Sequence, residues 1–175
     1  WYSRILIAGT YSYAKLLPCG THPLLDPLWS TAATEFTHDG ADVARADKVA
    51  RIALNPAARR LLRVCWIAPT AAQLNCCKCE KCLRTMVTLQ AVDALHSNEA
   101  FPVPLDLARV KALELTDITR DLWEENRQLL TVTGSDPRLL AAVESLLKPR
   151  AGKRIASRIR VWNRQRRRLR RQRRQ

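Results

Sequence analysis

The chain has 175 residues and a mass of 19.9 kDa, enough for one ordinary domain and a tail. Hydrophobic residues make up 47%, which excludes general disorder, and no apolar run is long enough for a transmembrane helix. Lysine and arginine number 30 against 16 acids, but 14 of them lie from Lys148 onward with no acid among them, so the body before it is neutral and the pI of 10.3 describes only the tail.

The N-terminus carries no initiator methionine and no signal-peptide pattern, as if the chain were cut from something longer. Arg4 to Ala8 (RILIA) is a short continuous apolar run and predicts a buried strand. Residues 18–30 hold three prolines and one glycine and predict an ordered loop. Thr34 to His38 predicts a second strand, closed by the turn pair Asp39-Gly40. Asp42 is the expected cap of a helix whose apolar stripe is Val43, Ala46, Val49, Ala50 and Ala53, with Asn55-Pro56 as its end. Leu61 to Ala68 (LLRVCWIA) predicts another buried strand, and Glu80 to His96 a long helix. Three more helices are expected near 105–114, 117–131 and 137–147, the last opened by Ser135-Asp136-Pro137. Trp123 is expected in the core.

Six cysteines are present, and four fall within seven residues. A secreted disulfide scaffold spreads its cysteines to close loops, whereas this spacing suits a metal and a reducing cytosol. Cys76, Cys79 and Cys82 form C-x2-C-x2-C, with Cys65 eleven residues upstream. Two thiolates two residues apart can turn around one ion, and the third stands at a helix start, where a thiolate is favoured. Four thiolates suit tetrahedral Zn(II) in a closed, structural site. Lys78, Lys81 and Arg84 flank it. Cys77 rivals Cys76, and the two cannot easily bind one ion together because adjacent side chains point apart; Cys76 is the expected ligand because it preserves the two-residue spacing. An iron–sulfur cluster is the competing cofactor, although the downstream C-P partner is absent. Buried free thiols are the plainest alternative.

The run from Leu62 to Trp66, followed by Asn75 to Arg84, resembles the C-terminal zinc region of the PP-loop ATP pyrophosphatases, the cyano-deazaguanine synthases among them. Ala44 to Arg51 looks like that family's lysine-containing helix start. Uncharacterised bacterial proteins with S-H-P-x-x-D-P-L-W-S, H-D-G and N-C-G-x-C-x-K-C-L-R-T-M are similar over Thr21–Ser30, His38–Gly40 and the cysteine segment through Met86. Together these cover about residues 4–95. The resemblance implies an α/β fold, the second half of a doubly wound (adenine nucleotide alpha hydrolase-like) parallel sheet. The partial domain spans 1–97 with a zinc loop at 65–82; the pattern of the chain itself adds a helical extension over 98–148 and an Arg-rich tail, helical or disordered, over 149–175. Cys77 stands where the family has glycine. The ATP-binding S-G-G-x-D-S loop is missing from the 175 residues. ATP is therefore expected only if a complete chain supplies that loop, and this chain alone is not expected to be catalytic.

His22, Asp26, His38, Asp39, Arg45 and Lys48 are the substrate- and nucleotide-side candidates. Ligands of open α/β sheets bind beyond the carboxyl ends of strands. Lys48 or Arg45 would face phosphate, and Asp26 or Asp39 would position a hydroxyl or amine. The structural alternative makes Asp39 a turn residue, Asp26 a loop cap and Lys48 a solvated side chain. Cys19, between Pro18 and Gly20, has no identifiable base and is expected to be an incidental thiol. His96 is expected only to close a helix. In the tail, Ile155, Ile159 and Trp162 recur at helical spacing amid arginines. Two readings stand for it: nucleic acid or an anionic surface as a partner, bound without sequence preference, or a solvated, disordered tail with no partner. A homodimer is a further expectation.

Overall fold

The computed structural model describes residues 2–67 and 73–149. Its first strand, β1 (Arg4–Ala8), pairs in parallel with β2 (Glu35–Asp39), and Arg4 lies opposite Glu35 while Ala8 lies opposite Asp39. Both strands are as expected, but β1 is not buried: Ile5 is 36% and Leu6 58% exposed. Among the described residues the sheet has only these two strands. A two-stranded sheet cannot enclose an apolar run as a multi-stranded parallel sheet does. The face of β2 that carries His38 is covered instead by the 3₁₀ turn Asp26–Trp29 from the proline-rich loop.

Six helices follow among the described residues: α1 (Arg45–Ile52), α2 (Pro56–Leu61), α3 (Glu80–Ala91), α4 (Leu107–Ala112), α5 (Asp117–Thr133) and α6 (Pro137–Leu147). Local chemistry starts most of them. The side chains of Asn55, Asp106 and Asp136 accept backbone N–H groups at the starts of α2, α4 and α6, and Thr116 with Thr119 forms a capping box for α5. Asn55-Pro56 thus opens a helix as well as following one. α1 is the exception, since Asp42 does not cap it. The Ala46 N–H instead donates to the Glu125 carboxylate of α5 at 3.2 Å. α3 stops at Ala91, short of the expected His96. Asp93 takes a left-handed conformation (φ 54°), and the Ala94 N–H closes back on the Leu89 carbonyl at 2.8 Å.

The expected strand at Leu61–Ala68 does not form. Leu61 ends α2, residues 62–67 pair with no strand, and Ala68 lies outside the described residues. The Asn75 side chain replaces the missing neighbour. Its Oδ1 accepts from the N–H groups of Val64 (3.0 Å) and Cys65 (3.2 Å), and its Nδ2 donates to the carbonyls of Leu62 (2.7 Å) and Ala100 (2.9 Å).

α3 is the central helix, buried almost all round. Cys82, Met86 and Leu89 join a core with Val49, Ala53, Cys65, Cys77 and Phe101. Leu83, Val87 and Ala91 join a second core with Val110, Trp123, Leu130, Leu139 and Val143. Its polar side, Arg84, Thr85 and Thr88, faces α1 and α5. There the Thr88 hydroxyl donates to Asn126 Oδ1 at 2.7 Å, and Asn126 Nδ2 donates to the Arg84 carbonyl at 2.9 Å.

Candidate metal centre

The sulfur atoms of Cys65, Cys76, Cys79 and Cys82 all lie within 4.8 Å of one another. Three separations are Cys65–Cys79 at 3.8 Å, Cys76–Cys82 at 3.9 Å and Cys79–Cys82 at 3.4 Å. Sulfurs on a tetrahedron with arms of about 2.3 Å stand about 3.8 Å apart. The four thiols are therefore arranged to hold one metal ion. Cys65 and Cys82 are buried, Cys76 and Cys79 half-buried, and Cys19 and Cys77 stand apart from the group.

Three parts of the chain supply these sulfurs. Cys65 ends the extended segment held by Asn75. Cys76 stands next to Asn75 in the loop. Cys79 is the N-cap residue of α3, and Cys82 lies in that helix's first turn, where the helix dipole favours a thiolate. Cys77 takes the left-handed conformation (φ 54°) that turns the chain from Cys76 toward Cys79. This geometry accounts for a glycine being suited to position 77. It also sends the Cys77 sulfur into the core, where it lies 3.7 Å from the Asn75 carbonyl.

Backbone amides face the sulfurs. The Ile67 N–H donates to Cys65 Sγ and the Cys79 N–H to Cys76 Sγ, each at 3.3 Å. Burial pushes the Cys65 thiol up, but backbone N–H groups of Cys76 and Ile67, with the neighbouring thiols, bring it down to about 6. Burial pushes Cys79 and Cys82 upward. Burial thus opposes ionisation of the Cys79 and Cys82 thiols. A dication reverses that resistance, because a coordinating thiol loses its proton outright.

Two of the basic residues expected to flank the sulfurs have other partners. The Lys81 ammonium stands 3.2 Å over the Trp66 ring, and Arg84 is paired with Glu80. Glu80 also accepts the indole N–H of Trp123 at 2.9 Å, which links α3 to the α5 core. Asn75 and Glu125 are the positioning residues that sequence reasoning missed. Their roles depend on backbone partners ten or more positions away, and no local pattern marks them.

The remaining candidates form separate groups. His38 Nδ1 lies 2.5 Å from Asp26 Oδ2, with both side chains buried, so Nδ1 carries the proton. Asp26 Oδ1 also accepts the His22 N–H at 3.1 Å. The His38 hydrogen bond, reinforced by that N–H, holds the Asp26 carboxyl below its ordinary range against the effect of burial. These three residues pin the loop to β2. Lys48 donates to the Gly9 carbonyl at 2.7 Å, joining α1 to the end of β1, and burial with the nearby Arg45 lowers its ammonium. Asp39 is exposed and contributes its carbonyl, which accepts the Gly9 N–H at 2.7 Å. Arg45 lines a small niche with Arg84 and Glu125. Cys19 donates to the Thr21 carbonyl at 2.8 Å, and His96 is exposed, 3.6 Å from Asp93. Trp123 is fully buried. The tail at 150–175 lies outside the described residues.

No family model, no curated protein and no solved structure matches this chain.

Proposed function

We propose that this chain is the metal-stapled half of a PP-loop-like, nucleotide-associated α/β domain, with a structural Zn(II) held by Cys65, Cys76, Cys79 and Cys82. The observation that carries the metal half of this reading is the spacing of the four sulfurs, near that of a single-ion tetrahedron, and the family half rests on the sequence resemblance. A polynuclear iron–sulfur cluster sets several atoms between its thiolates and requires them farther apart. With four protein ligands, no position remains for water. The ion's role is to tie the 62–67 segment to α3, and it does no chemistry. The parallel pair β1–β2 is consistent with part of a doubly wound sheet. Its carboxyl ends lead into Gly9 and Gly40, beside Lys48.

The S-G-G-x-D-S loop that would cradle pyrophosphate is missing from the sequence, so this chain alone does not activate a substrate with ATP. Joined to such a loop, the family's chemistry would be adenylation of a carbonyl-type oxygen, followed by nucleophilic displacement of AMP. The test is twofold. Chelation should unfold the chain by circular dichroism, and AMP should bind the metal-loaded protein more tightly than inorganic phosphate in equilibrium dialysis. Retention of full helicity without metal, or AMP binding no tighter than phosphate, would refute the corresponding half of the reading.

The charge partition favours a second activity. Fourteen basic residues run from Lys148 to the end of the chain, attached to a neutral body. They would hold nucleic acid through phosphate contacts that weaken steeply with salt. Deleting 150–175 should abolish that retention. Retention that survives the deletion would overturn it.

A further inference from the structure

Arg84 lies on the central helix and is only 6% exposed. A guanidinium keeps its charge when buried, and it presents five N–H donors. Its Nη1 is 3.0 Å from Glu80 Oε1, close enough to pair but off the hydrogen-bond direction. That oxygen already accepts the Trp123 indole. The Nε and Nη1 groups of Arg84 have no hydrogen-bond acceptor among the described residues. Buried donors in native proteins seldom go unmatched, and such a group calls for an ion or a ligand atom.

The surroundings indicate what kind of atom fits. Arg84 lines a niche of about 10 Å³ with Arg45, Thr85, Thr88, Glu125 and Asn126. That volume admits a single oxygen-sized atom. Thr88 and Asn126 are engaged with each other, and Glu125 accepts the Ala46 N–H through Oε2 while its carboxylate remains in the lining and offsets part of the charge of the two arginines. The two guanidinium groups therefore remain for an incoming oxygen. The niche lies near the loop that follows β1: Tyr11 is within electrostatic reach of both Arg45 and Arg84, and Lys48 is anchored on the Gly9 carbonyl. Open α/β folds bind their ligands at this end of the strands.

We propose that Arg84 and Arg45 form a phosphoryl site, in which one phosphoryl oxygen enters the niche and the rest of the group stays at its mouth. The shared chemistry is a phosphate dianion, free or carried by a nucleotide, and the nucleotide source rests on the function proposed above. The site is distinct from the metal centre and uses a residue that the sequence marks only as a flank of the cysteines.

Isothermal titration of the metal-loaded full chain with inorganic phosphate and with AMP tests this, at an ionic strength held by chloride. The arginines after Lys148 also attract phosphate, equally in wild type and variants, so the difference between them is the readout. Arg84→Gln and Arg45→Gln should each weaken phosphate binding about tenfold or more, as expected for a charge-assisted hydrogen bond, with the metal content unchanged. If Arg84→Gln loses its metal, Arg45→Gln decides. Wild-type binding that both variants retain, or no phosphate binding at all, would overturn the proposal and leave the niche to a water. AMP binding tighter than phosphate supports both readings. Equal binding of the two, still sensitive to the variants, keeps the phosphoryl site and removes the nucleotide reading.

Discussion

Asn75→Ala tests how the metal centre is assembled. Asn75 is fully buried, and its amide makes four hydrogen bonds to backbone groups of Leu62, Val64, Cys65 and Ala100. Truncation leaves two N–H groups and two carbonyls without those partners. At about 1 kcal/mol net per bond, the expected loss is about 4 kcal/mol, near the upper end for a point mutation. Asn75→Asp keeps an oxygen to accept both N–H groups, loses the two N–H donors and buries a charge, so it should be destabilising as well. Urea unfolding of the metal-loaded protein measures the loss. A competition titration with a chromogenic chelator should show weakened metal affinity, because Cys65 depends on Asn75 for its position. A variant within about 1 kcal/mol of wild type, with unchanged metal affinity, would refute the idea that one side chain replaces a strand neighbour here.

Four-sulfur ligation predicts that Cys79→Ser abolishes stoichiometric metal binding, whereas Cys77→Ser and Cys77→Gly retain it. Metal analysis after gel filtration distinguishes these outcomes, and equal loss in all three would contradict the ligand set. The lowered Asp26 carboxyl gives a definite sign to the acid response. Its contribution is complete above the ordinary aspartate value of about 3.9 and is lost as pH falls through its lower folded-state value. Thermal melting under acid should therefore show a pH-dependent loss that is smaller in Asp26→Asn, and identical profiles would remove the role given to the His38 pair. Gly134 closes α5 at φ 61°. Gly134→Ala should cost about 1 kcal/mol in calorimetry without touching metal content, and no cost would contradict the left-handed cap.

Much of the helical half is legible in the sequence because its boundaries are written in short-range chemistry. Asp136-Pro137 starts α6, and Thr116 and Gly134 bound α5. The cysteine spacing is legible for the same reason: two residues between thiols is a local turn. The same spacing favours Cys76 over Cys77, and Cys76 is the one that joins the group; the positive φ at Cys77 that turns its sulfur away is not written in the spacing. Leu61–Ala68 misleads because an apolar run says nothing about its hydrogen-bond partner, which proves to be an asparagine side chain. The start of α1 is equally hidden, since its cap, Glu125, lies 79 residues from Ala46. RILIA forms its strand, but burial depends on neighbours that the run itself cannot supply.

X-ray absorption at the zinc edge, on full-length chain purified without added metal and quantified by elemental analysis, addresses the metal centre directly. The expected result is one zinc per chain in a single shell of four sulfurs at about 2.3 Å. Substoichiometric metal, a shell containing nitrogen or oxygen, or the visible absorbance of an iron–sulfur cluster under anaerobic handling would contradict it.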